Sequence, residues 1–118
     1  MRTNVYKKVI SIDLDGVLNT YSGHKDYDEN KICPIKSGAS DFLEKLFENF
    51  NIEIFTVRDK TLVKNWLKDN DILKFISKIT NEKNPYSQII LDDRAIQFRG
   101  NFQETYKEII DFKPYWKK

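Results

Sequence analysis

Short β-branched runs alternate with amphipathic helical stretches along most of this 118-residue chain, and no other feature limits its fold as tightly. VISIDL (9–14) reads as a buried strand stopped by Gly16. Residues 19–36 are polar and irregular. A helix is predicted near 38–50, because Ala39, Phe42, Leu43, Leu46, Phe47 and Phe50 fall at helical spacing, which puts these aromatics in the core. Residues 52–57 (IEIFTV) form a second strand. Residues 60–69 form a second helix with Leu62, Val63, Trp66 and Leu67 on one side. Residues 75–79 are a short third strand, Pro85 breaks the chain, and residues 88–91 are a fourth. Residues 96–98 read as a brief extended piece. Asn101 with Glu104 forms a capping-box pattern that opens a last helix reaching about Phe112. The expected fold is α/β, a three-layer Rossmann-like sandwich around a mostly parallel sheet.

In such sheets ligands bind beyond the carboxyl ends of the strands. The chain places its polar residues there. Asp13 and Asp15 close the first strand, Thr56 and Arg58 the second, and Asp92 and Asp93 the late one. Parallel strands would bring them to one edge. Carboxylates gathered at one edge repel each other, and they tolerate this best around a cation. An all-oxygen cluster with few ligands suits Mg²⁺, which usually serves a substrate phosphate. One carboxylate can then attack phosphorus while its neighbour works as acid and base. Thr56 offers a hydroxyl and Lys83 a cation for the transferred group. The only glycines are Gly16, Gly23, Gly38 and Gly100, with no Walker or dinucleotide pattern, so a glycine-rich phosphate cradle is excluded.

Composition narrows the partners. Lys+Arg 20 against Asp+Glu 18 leaves a formal charge of +2, which argues against nucleic-acid and membrane partners. No apolar stretch approaches the roughly 20 residues a bilayer span needs. The start, MRTNVYKK, lacks the apolar core of a signal peptide, and Cys33 is the only cysteine. A cytoplasmic home is the expectation.

The ordered set DLDG at 13–16, IFTVR with Thr56, Lys83, and the pair Asp92-Asp93 resembles the four motifs of the haloacid dehalogenase superfamily. LDDRAIQFRGN (91–101) is similar to its small bacterial and phage-type phosphatases. The resemblance implies a Mg²⁺-dependent phosphatase. Asp13 would be the nucleophile that forms an aspartyl-phosphate. Asp15 would protonate the leaving group, then activate water, and lend its backbone carbonyl to the metal. Thr56 would bind a phosphoryl oxygen, and Lys83 would balance charge, with Lys78 as the competing lysine. Asp92 would hold Mg²⁺ with Asp93 in support. The stretches between motifs are spent on core elements, so the chain is expected to be one capless domain (1–118) with a flap at 17–36. Capless members close the site by homo-oligomerising or leave it open to large substrates.

The expected substrate is a small phosphorylated metabolite, a sugar phosphate or nucleotide. A protein or nucleic-acid end is the alternative that an open site allows. A signalling receiver domain or an idle phosphate-binding domain is the non-enzymatic alternative. A receiver places its threonine and lysine after its acidic residues, whereas here both precede the final acidic pair. His24, Lys25 and Tyr27 in the flap, with Arg58 and Arg99, are candidate substrate contacts. Solvated loops and surface salt bridges are the competing fates of these residues. Cys33 is expected to be inert, and the tail FKPYWKK to pack on the domain edge.

Overall fold

The computed structural model describes Asn4, residues 6–82 and residues 84–117, with the backbone alone for His24. Four strands, β1 (Lys8–Asp13), β2 (Phe50–Phe55), β3 (Ile76–Thr80) and β4 (Ile89–Leu91), pair in the order β3-β2-β1-β4. Every pairing is parallel, so the expected α/β class holds. Helix α1 (Ala39–Phe47) packs on β2 and α2 (Lys60–Asp69) on β3. Parallel neighbours need crossovers, and these two helices supply them.

The strand pattern explains the packing. Ile10 and Ile12 alternate with Ser11 and Asp13, and Ile52 and Ile54 with Glu53 and Phe55. Ile12, Ile52, Ile54, Leu43, Val63 and Leu67 are fully buried in one cluster. Each such side chain contributes about 1.5–3 kcal/mol of burial. The alternate face is polar, and residues 84–88 cross it. Ser87 Oγ meets Ser11 Oγ, and Asn84 Nδ2 donates to Glu53 Oε2 at 2.9 Å.

Some boundaries differ from the sequence reading. The first helix ends at Phe47, and Phe50 starts β2, where it pairs with Lys8. The strand's backbone partner outweighs the helical spacing of one apolar residue. Phe42 is 43% exposed and belongs to no core. Residues 96–98 form no strand. The last helix, α3 (Phe102–Asp111), begins as expected, with Asn101 Oδ1 accepting from the Glu104 N–H at 3.0 Å. It buries none of its residues, and Phe102, Tyr106, Ile109 and Ile110 face solvent. No described helix is long and apolar enough to cross a membrane.

Candidate metal and phosphoryl site

Asp13 is the last residue of β1, and the register sets it beside Phe55, with Ile12 beside Leu91. Central β1 therefore delivers Asp13 between the ends of β2 and β4. Thr56 follows β2 and Asp92-Asp93 follow β4. Carboxylate oxygens of Asp13, Asp92 and Asp93 lie within 4.8 Å of one another. Burial foremost, then the Asp93 carboxyl and the charges of Asp92, Asp93 and Asp15, push the Asp13 carboxyl up to about 8. Asp93 is the deepest of the three, with its side chain only 1% exposed. Its Oδ2 accepts from Trp116 Nε1 at 2.6 Å, while among the described residues Oδ1 has no hydrogen-bond partner and only Arg94 Nε at 3.9 Å. A buried unpartnered carboxylate oxygen costs about 1–3 kcal/mol or more, which a cation there would relieve. Three hard oxygen donors with no sulfur or nitrogen could hold a hard cation such as Mg²⁺, Ca²⁺ or Mn²⁺ rather than a softer metal.

Asp15 does not join that cluster. Arg58 Nε donates to its Oδ2 at 2.9 Å and Nη2 to Oδ1 at 3.1 Å, while Asn19 Nδ2 donates to Oδ1 at 3.0 Å. Arg58 also donates to the Asp28 carbonyl and stacks on Tyr27, with its side chain fully buried. Burial works against the Arg58 charge, but the hydrogen bonds and charge of Asp15 more than offset it, so its pKa sits above the usual value. Arg58 is thus committed within the protein and not held ready for a second substrate anion. The reason is geometric: residues 17–36 fold back, pairing Asn19 with Ile35 and Thr20 N–H with the Pro34 carbonyl, which brings Asp28 and Tyr27 over Arg58.

Thr56 is buried, and its Oγ1 accepts from the Arg58 N–H at 3.2 Å. A cavity of about 140 Å³ opens on this edge, lined by Asp13, Asp15, Thr56, Tyr21, Tyr27 and Arg94 among others. Lys83 lies outside the described residues, as does the side chain of His24. Lys78 sits inside β3 and is exposed. Arg99 pairs with Glu108 at 3.3 Å on α3, the surface salt bridge already weighed for it. Burial raises the Cys33 thiol, in keeping with an inert side chain.

Four residues of this site were not singled out as contributors to it. Asn19 links Asp15 to the flap, since its Oδ1 accepts from the Gly16 and Tyr21 N–H groups. Its position four residues after Asp15 was the available signal. Arg94 lines the cavity directly after the acidic pair. Tyr115 and Trp116 come from the tail and have no local sequence signal. Gly16, at φ +85°, passes so close to Asp93 that a Cβ would collide with its carboxylate. Comparison with protein families, curated proteins and solved structures finds no match to this chain.

The raised Asp13 pKa has a stability consequence. Folded Asp13 keeps its proton up to about 8, whereas the unfolded chain loses it near 3.8. Between those values folded Asp13 binds more protons than unfolded, so its contribution to the stability of the metal-free protein falls as pH rises from about 4 to 8. A cation bound at Asp13 would have to displace that proton, so its affinity would grow with pH across the same window. If a cation such as Mg²⁺ binds there, the thermal shift it causes is expected to be larger at pH 8 than at pH 6. An equal shift at both would contradict a role for Asp13 in binding.

Proposed function

We propose that this protein is a Mg²⁺-dependent phosphomonoester hydrolase that works through an aspartyl-phosphate on Asp13. The observation that carries the reading is the juxtaposition at one sheet edge of Asp13, Asp92 and the unpartnered Asp93 Oδ1 with a small cavity lined by Asp15, Thr56 and Arg94. Asp13, Asp92 and Asp93 would hold Mg²⁺, which supplies charge neutralisation at the phosphoryl oxygens.

The chain's own groups then account for the rest. An Asp13 oxygen attacks phosphorus, the phosphorus–ester oxygen bond breaks, and the electron pair leaves with the alcohol oxygen. Thr56 and Arg94 line the cavity wall and would donate to phosphoryl oxygens. Asp15 lies within the same cavity and is the group that would give the alcohol its proton, then take one from the attacking water. Its Oδ1 already has two donors, but Oδ2 has one among the described residues, so Oδ2 keeps a position that would carry the proton given to the leaving oxygen and, once ionised, accept one from the attacking water. The Arg58 grip fixes that carboxylate's orientation.

The small cavity under Tyr21 and Tyr27 supports a small phosphorylated metabolite as substrate. The test is turnover of a generic aryl phosphate. Hydrolysis that needs Mg²⁺ and stops with EDTA is expected. Absence of any turnover of aryl and metabolite phosphates with Mg²⁺ present would contradict the reading.

A further inference from the structure

We propose that the C-terminal strap, residues 114–117, builds the metal site from behind, with Trp116 as the residue that positions Asp93 for a divalent cation. This rests on the reading of Asp13, Asp92 and Asp93 as cation ligands.

Trp116 reaches back across 23 residues to donate its indole N–H to Asp93 Oδ2 at 2.6 Å. An indole N–H is a donor only, so it satisfies one oxygen of the carboxylate and cannot compete for a cation. The other oxygen, Oδ1, is left buried within the three-carboxylate cluster with no hydrogen-bond partner among the described residues. Fixing one oxygen removes the rotation that would otherwise let Asp93 turn away from Asp13 and Asp92.

The strap itself is anchored independently of Asp93. The Tyr115 hydroxyl donates to the Gly16 carbonyl at 2.6 Å, across 99 residues. The Lys117 N–H closes a turn onto the Pro114 carbonyl. The Trp116 ring meets Tyr21 edge-on with centroids 5.8 Å apart, and it lies over Gly23, where a Cβ would sit 3.5 Å from the ring. At Gly16 a Cβ would lie 3.1 Å from Trp116 Nε1, so the glycine turn after β1 runs directly beneath this hydrogen bond. The strap thus joins the loop after β1, the flap and the acidic pair after β4. A tail that merely covered a domain edge would need no polar contact with a buried carboxylate.

The decisive experiment titrates Mn²⁺ by calorimetry into the full-length wild type, Trp116→Phe and Trp66→Phe, with thermal melts in EDTA. Trp116→Phe keeps the ring and loses the N–H. It is expected to bind Mn²⁺ at least about tenfold more weakly, as loss of a group that orients a metal ligand does. Its EDTA melt should stay cooperative and fall by several degrees, as loss of one donor to a buried carboxylate does, and Trp66→Phe should bind Mn²⁺ normally. Wild-type affinity in Trp116→Phe would overturn the strap's role while leaving the metal site standing. If wild type itself bound no Mn²⁺, the metal reading would fall and the strap's role with it.

A measurement on unmodified protein guards against a variant that fails to fold. The chain has two tryptophans, so its NMR spectrum carries two indole N–H signals. Saturating Mg²⁺ should shift the Trp116 signal and leave that of Trp66, on α2, in place. An unmoved Trp116 signal would overturn the inference.

Discussion

Asp13→Asn is expected to lower turnover of an aryl phosphate by on the order of a thousandfold or more, with the protein still folded. An amide fills the same space but cannot attack phosphorus or hold a cation as a carboxylate does. The fold should not suffer. Asp13 stands at a strand end where burial and three neighbouring acids already disfavour its charge. Removing that charge should raise the melting temperature of metal-free protein at pH 8, where the folded-state penalty is largest, and change it little near pH 4. Loss of turnover together with gain of stability separates a reacting group from a structural one. Activity within tenfold of wild type would contradict the assignment.

Arg58→Met is expected to be the most destabilising single change at the site, at about 3 kcal/mol in denaturant unfolding. Arg58 is fully buried, and the substitution leaves Asp15, 19% exposed, with only Asn19 as its side-chain donor among the described residues. It also leaves the Asp28 carbonyl without its guanidinium donor and removes the stack on Tyr27. A loss of that size is a large part of the roughly 5–15 kcal/mol that holds a small domain together. The double variant Asp15→Asn, Arg58→Met should cost clearly less than the sum of the two single changes, because the unpaired charge is gone. Additive costs would show that the pair is not coupled.

The alternation of runs in the sequence carried the fold because each strand has a short apolar core and each packed helix one apolar stripe. Leu43, Val63 and Leu67 were legible on that ground, and all three are fully buried. The Phe42 and Phe50 positions were not. Helical spacing alone does not say where a helix stops, and a β partner opposite Lys8 decided Phe50. The capping-box pattern at Asn101 and Glu104 predicted the last helix correctly but said nothing about whether its apolar side is covered.

At the site, residues at strand ends were legible because parallel strands leave little choice about where their ends go. Asp13, Asp92 and Asp93 do come together. Which charges pair was not legible. Asp15 and Asp13 are two apart in sequence, yet one faces Arg58 and the other faces acids, since β1 ends at Asp13 and the chain already turns from Leu14. Arg58 looked available for an anion until the flap was seen to close over it. Trp116 could not be read at all, because a contact across 23 residues through a tail leaves no periodic trace.

The most direct test of the covalent reading is to mix the protein and Mg²⁺ with a phosphoryl-labelled aryl phosphate, quench in acid within a turnover, and map the labelled peptide. Acyl phosphates survive acid and are cleaved by hydroxylamine. The expected result is hydroxylamine-sensitive label on the peptide containing Asp13, absent when EDTA replaces Mg²⁺. Turnover that proceeds with no label on that peptide, or with label on a different residue, would contradict it.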